Sequence, residues 1–173
     1  LTVGDRSLTR LELHRASTHL AHELAALGTV KGDMVTVALP NSLEWFLAFA
    51  AAWKLGATPQ PVSARLPARE LEAIVELADS RVVVGVTPDA LPGRTSLTRA
   101  QITATIDRTD EPALLDDVVS DAWKAPTSGG STGRPKLIVS GDPSLLDLEV
   151  GPPLMIHPDG CMVMPSPLYH NGP

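Results

Sequence analysis

Positions 127 to 136 read Thr-Ser-Gly-Gly-Ser-Thr-Gly-Arg-Pro-Lys, which puts three glycines, four hydroxyls and a lysine into ten residues. Each type has a use against an anion. Gly129, Gly130 and Gly133 let backbone N–H groups turn inward and approach an oxyanion closely. The hydroxyls of Thr127, Ser128, Ser131 and Thr132 donate to phosphate oxygens, and Lys136 supplies a point charge for the outer phosphates. A polyphosphate satisfies all of them at once. The order differs from a Walker A loop, because Arg134-Pro135 separates the last glycine from Lys136 and no Ser or Thr follows the lysine. A flexible Gly/Ser linker is the bland alternative, but a linker has no need of a Pro-Lys ending between two apolar, strand-like runs.

The elements that must hold this segment are legible upstream. Leu1 to Leu8 forms two short strands around Gly4-Asp5, and Thr9-x-x-Glu12 is a capping box that opens a helix. Leu13, Ala16, Leu20, Leu24 and Leu27 give that helix one apolar stripe, and Gly28 ends it. Met34 to Leu39 is a strand, after which Asn41 is the expected cap of a second helix, with Glu44 three residues on. From Trp45 to Trp53 this helix is apolar all round and must be covered on every side. Thr58 to Val62 is extended, Pro67 opens a third helix to about Ala78, and Arg81 to Val86 is a buried strand. Strand and helix alternate, so the fold class is α/β, with sheets flanked by helices through right-handed crossovers. The expected division is an α/β subregion over 1–106, an acidic connection over 107–121 and a loop-bearing subregion over 122–173. In the last, Ala122 to Pro126, Leu137 to Val139 and Cys161 to Met164 read as strands.

Other candidate groups carry less. His14, His19 and His22 share a helix but diverge around it, and His19-x-x-His22-Glu23 fits neither zinc pattern, so solvated histidines and no metal site are expected. Cys161 lies beside Met162 and Val163 without a nearby base and reads as a small buried hydrophobe. Asp116 and Asp117 face water in an acidic connection. The composition excludes further classes. With 14 basic against 20 acidic residues and no basic cluster, nucleic acid is not the partner. The run from Trp45 to Trp53 is about half of what a bilayer span needs, so no transmembrane segment is expected. A lone cysteine forms no internal disulfide and agrees with a reducing, cytoplasmic setting.

Ser128-Gly-Gly-Ser-Thr-Gly-Arg-Pro-Lys136 closely resembles the Thr-Ser-Gly-Ser/Thr-Thr-Gly-x-Pro-Lys signature of the adenylate-forming superfamily, which includes acyl-CoA synthetases, adenylation domains and luciferases. Gly32-Asp33-Met-Val, Pro40-Asn41-Ser with Glu44 and Trp45, Lys54-Leu-Gly-Ala57, and Leu66-Pro67 through Asp79-Ser80 are similar to that family's early N-terminal domain. Pro165-Ser-Pro-Leu-Tyr-His-Asn-Gly172 is similar to its next motif, beside the acyl pocket. Gly129 stands where the family usually has Ser, Leu137 replaces a common glycine, and the double glycine resembles the bile-acid and fatty-acid CoA ligases.

The resemblance implies the αβαβα-type N-terminal domain, here incomplete and without the C-terminal domain, and a chain inactive by itself. It further implies ATP-dependent conversion of a carboxylic acid to an acyl-adenylate, followed by transfer to CoA. Thr127, Ser128, Gly129, Gly130, Ser131, Thr132, Gly133 and Lys136 then hold the phosphates, with Lys136 stabilising transition-state charge. His170, Tyr169 and Gly172 line the acyl pocket. ATP, Mg2+ and CoA are the implied cofactors, with Mg2+ and CoA ligands outside this chain, and a homodimer is compatible with the family. A phosphate-holding module without turnover and a purely structural piece stay open as alternatives.

Overall fold

The computed structural model describes residues 1–128, 135–146 and 160–170. Strands β1 (Thr2–Val3) and β2 (Arg6–Ser7) pair antiparallel around Gly4, whose φ of 59° gives the turn its left-handed residue. Helix α1 (Arg10–Ala26) opens on the expected capping box: Glu12 N–H donates to Thr9 Oγ1 at 3.2 Å and Thr9 N–H donates to Glu12 Oε2 at 2.7 Å.

Four parallel strands form the central sheet. They are β3 (Met34–Val37), β4 (Thr58–Pro61), β5 (Val82–Val84) and β6 (Ser96–Leu97), in the order β4-β3-β5-β6. The two-residue period of the strands splits their side chains between the sheet faces. Val35, Val37, Val82 and Val84 meet Leu20, Leu24, Leu47 and Ile102 from α1, α2 (Leu43–Lys54) and α4 (Arg99–Ala104). On the other face Ala38 and Val83 meet Leu71, Ile74 and Val75 from α3 (Ala68–Ala78). Helices therefore cover both faces, which a parallel sheet requires. Gly85 closes the carboxyl edge: its φ is 94°, and a Cβ there would lie 2.5 Å from the Ala38 carbonyl oxygen.

Several sequence expectations need correction. Helix α2 is capped by Ser42, whose Oγ accepts from Trp45 N–H at 3.2 Å, and not by Asn41, whose side chain is engaged elsewhere. Strand β6 and helix α4 lie in a stretch where no element was expected, although Thr98-x-x-Gln101 forms a capping box there. Residues 122–126 are no strand. Trp123 N–H to Asp142 O (2.9 Å), Ser140 N–H to Lys124 O (3.1 Å) and Ile138 N–H to Pro126 O (2.8 Å) extend the pairing of β7 (Thr127–Ser128) with β8 (Lys136–Leu137), but Pro126 has no N–H to return. Cys161 to Met164 is irregular and exposed, so Cys161 is not a buried hydrophobe.

His19 is also not solvated. It is 2% exposed and its Nε2–H donates to the Asp110 carbonyl at 3.0 Å, while His22 Nε2–H donates to Ala113 O at 2.9 Å. The acidic segment lies across α1 and covers the face that a helical projection leaves to water; Arg15 pairs with Glu111 at 2.7 Å in the same contact. Among the described residues no cluster of His, Cys, Asp or Glu could hold a metal ion, and no helix is long and apolar enough to cross a membrane.

Candidate active site

A cavity of about 670 Å³ opens beyond the carboxyl end of β4. One wall is Pro61, Val62 and Ser63 as the chain leaves the sheet, and a second is Leu66, Arg69, Glu70, Ala73 and Ile74 around the start of α3. The third is made of Thr127, Ser128 and Pro135 from the β7–β8 hairpin, together with Tyr169 and His170. Open α/β sheets commonly take ligands at this carboxyl edge.

The structure thus brings together four residues that were singled out in two separate motifs: Thr127 and Ser128 from one, Tyr169 and His170 from the other. Lys136 is exposed and sits opposite Ser128 in the hairpin register, which puts the two side chains on one face of the ladder. Gly129, Gly130, Ser131, Thr132, Gly133 and Gly172 lie outside the described residues.

Four groups for which no role in the site was expected from sequence fix the walls. Gln60 Nε2–H donates to Thr127 Oγ1 at 2.8 Å, holding that hydroxyl from the sheet side. Asn41 clamps the strip before His170: its Nδ2–H donates to Ser166 O and its Oδ1 accepts from Leu168 N–H, each at 2.9 Å. Leu168, 5% exposed, plugs into the core beside α2 and anchors Tyr169 and His170, whose rings sit 4.4 Å apart. Lys124, 2% exposed, lies over the Trp123 ring at 4.3 Å and donates to His170 O at 3.4 Å; burial lowers its pKa. A lone lysine inside Ala-Trp-Lys-Ala-Pro was the available signal for Lys124. Asn41 gave none, because an Asn next to a Ser ahead of a helix reads equally well as a cap. Arg69 brings a cation to the cavity wall and was also missed.

A second cavity, of about 480 Å³, lies between α1, α2 and the acidic segment. Its Lys54 has a pKa lowered to about 8 by burial, but its Nζ donates to His14 O (2.8 Å) and Thr18 Oγ1 (2.6 Å) and lies 3.3 Å from His14 Nδ1. Its hydrogen-bonding capacity is spent on α1.

Known proteins resemble this chain in sequence and in fold. The chain is 37% identical over 86 residues to the long-chain-fatty-acid–CoA ligase FadD13 of Mycobacterium tuberculosis, covering 50% of this chain and 17% of that protein. It is 33% identical over 138 residues to the phosphinothricin tripeptide synthetase PhsC of Streptomyces viridochromogenes, covering 80% of this chain and 11% of that one. The inhibitor-bound N-terminal domain of FACL13 from Mycobacterium tuberculosis superposes with a TM-score of 0.62 at 27% identity, over 78% of this chain and 37% of that one. The chain therefore spans only a minor part of each relative. The family of AMP-binding enzymes matches residues 1–172, and the chain belongs to it.

Proposed function

We propose that this chain supplies the phosphate-gripping part of an AMP-forming acid–thiol ligase. A carboxylate oxygen of the acid attacks the α-phosphorus of ATP, and the bond to the β-phosphate oxygen breaks, so pyrophosphate leaves and an acyl-adenylate forms. A thiol then attacks the acyl carbon, and AMP departs with the electron pair of the broken C–O bond. The observation that carries the reading is the meeting of Thr127 and Ser128 with Tyr169 and His170 on one cavity, in a chain of the AMP-binding family.

In this reading the Thr127 and Ser128 hydroxyls orient the outer phosphates together with Ser131, Thr132 and the main-chain N–H groups of Gly129, Gly130 and Gly133. Negative charge grows on the departing pyrophosphate, so donors and the Lys136 ammonium aimed at it stabilise the transition state more than the ground state. Tyr169 and His170, with Gly172, wall the side on which the acid enters. Bound Mg2+ would supply further neutralisation of the phosphates, from ligands outside this chain. CoA is the proposed acceptor and a fatty acid the proposed substrate, supported by the likeness to FadD13, while the proposed cytoplasmic setting rests on the lone cysteine. The likeness to PhsC over most of the chain favours a second reading, in which a carrier-protein thiol takes the acyl group.

The test is acid-dependent exchange of labelled pyrophosphate into ATP by the intact protein, followed by CoA-dependent release of AMP. Exchange without CoA-dependent release points to the carrier thiol, and ATP binding without exchange reduces the protein to a nucleotide-holding module. Lys136→Ala is expected to slow adenylation by roughly a hundredfold or more while slowing thioester formation far less. Equal slowing of both half-reactions, measured by single turnover, would contradict the role given to Lys136.

A further inference from the structure

The Thr127 hydroxyl is the open end of a hydrogen-bond chain that begins under α3. Ser80 Oγ lies 2.6 Å from Thr36 Oγ1, Thr36 Oγ1 donates to Gln60 Oε1 at 2.8 Å, and Gln60 Nε2 donates to Thr127 Oγ1 at 2.8 Å. Thr36 and Gln60 are fully buried and Ser80 nearly so, beside a cluster made of Ala38, Val62, Val83, Leu91 and the apolar side of α3. Apolar residues would pack that layer without the cost of desolvating an amide and two hydroxyls.

The chain has a direction. A hydroxyl carries one proton, and Thr36 gives its proton to Gln60, so Ser80 is the donor to Thr36. The Gln60 carbonyl is engaged by Thr36, and its amide nitrogen faces Thr127. Thr127 Oγ1 is therefore an acceptor on the sheet side, and among the described residues no acceptor takes its own proton. That proton is left for the cavity that Thr127 lines.

We propose that Gln60 is a positioning residue that sets the Thr127 hydroxyl as a donor to an anionic phosphate oxygen of the nucleotide in this cavity. The proposal rests on the phosphate-site reading given above. Gln60 touches no substrate; it acts by occupying the one alternative use of the Thr127 proton, which is donation inward to the sheet.

The experiment measures kcat/KM for ATP in pyrophosphate exchange by the intact enzyme for Gln60→Glu, Thr127→Ala and the double variant. Glu at 60 accepts from Thr36 as before but presents an acceptor to Thr127, so the threonine proton turns inward. Gln60→Glu is expected to lose on the order of ten- to a hundredfold, the worth of one hydrogen bond to a charged group. In the Thr127→Ala background the same change is expected to lose less than about twofold. Gln60→Met keeps the volume without the buried charge and is run through the same cycle should the Glu variant fold poorly; Thr127 then loses the donor that orients it but gains no inward acceptor, so a smaller loss than for Glu is expected, and again only when Thr127 is present.

Equal losses in both backgrounds would make Gln60 merely structural and overturn the proposal, as would full activity of Gln60→Glu, which would mean that the amide faces the other way. If Thr127→Ala and Lys136→Ala both leave kcat/KM for ATP unchanged, the phosphate-site reading itself fails. If those two variants cost activity while the cycle is additive, the reading stands and only the role of Gln60 is lost.

Discussion

Residues 1–106 and the described residues beyond 122 are held by different means. The first region buries a valine-rich parallel sheet between helices on both faces, and its first and last helices open on complete capping boxes. The second has strands of two residues, and Ile138, Val139, Leu145, Leu146 and Val163 stand 45% to 79% exposed. It is tied to the first largely by hydrogen bonds: Gln60 to Thr127, Asn41 to Ser166 and Leu168, Trp53 Nε1–H to Trp123 O at 2.7 Å, and Ala125 N–H to Pro59 O at 3.0 Å. The candidate ligand groups sit on the region with little core of its own, positioned from a rigid scaffold. That division is the usual one for sites that must admit and release a ligand.

The sharpest way to break this contrast is to damage each region in turn. Leu47 is fully buried on α2, and Leu47→Ala is expected to cost about 2–5 kcal/mol of stability in chemical denaturation. Val163→Ser, at a 79% exposed position, should stay within about 0.5 kcal/mol. Similar costs at both sites would erase the distinction.

A smaller effect is expected at Glu44, where the scaffold carries a buried charge. Burial would raise its pKa, but hydrogen bonds from Arg6 (2.7 Å) and Thr103 (2.9 Å) and the Arg99 guanidinium (3.0 Å) outweigh it and hold the carboxyl at about 2. A depressed carboxylate pKa contributes stability that is complete above the ordinary value of 4.5 and is lost as pH falls towards 2. Glu44→Gln should therefore destabilise by about 2 kcal/mol at pH 7, less than a fully buried pair because both arginines are half-exposed. The gap to the parent should narrow as the unfolding midpoint is followed from pH 5 down to pH 2.5. A gap that widens on acidification would show that Glu44 does not hold its charge in this pocket.

The same contrast explains what could be read from sequence. Local signals were sufficient where one element decides its own shape: the Thr9 box, the Leu13 to Leu24 stripe and the Val82 to Val84 run all specify their structure within a few residues. The candidate site was legible as residue types, because the hydroxyls and glycines of positions 127 to 133 suit an anion by composition, and Thr127 and Ser128 line the cavity. What failed were properties set by partners far along the chain. His19 is buried because a segment 91 residues away crosses it, and Asn41 leaves its expected cap for atoms 125 and 127 residues on. Helical periodicity contains no term for such coverage. Helix α4 is the exception, since Thr98 and Gln101 formed a readable capping box that its short length obscured.

The smallest expected effect is also the one that separates the two accounts of Asn41. If Asn41 were the cap of α2, Asn41→Ala would lower helix stability by about 1 kcal/mol and leave the kinetics of the acid untouched. In the structure that cap is Ser42, and the Asn41 amide reaches across to the segment that carries Tyr169 and His170. Its loss frees two hydrogen bonds at an exposed position, where water replaces the amide, so the cost to global stability is at most about 0.5 kcal/mol. Asn41→Ala should therefore shift the unfolding midpoint little but raise KM for the acid roughly threefold to tenfold, with KM for ATP changing less. Ser42→Ala supplies the opposite pattern, a loss of about 1 kcal/mol in stability with both KM values kept. Should the two variants exchange these signatures, the polar clamp between scaffold and site would have to be assigned to other residues, with Lys124 and its contact to His170 O the next to test.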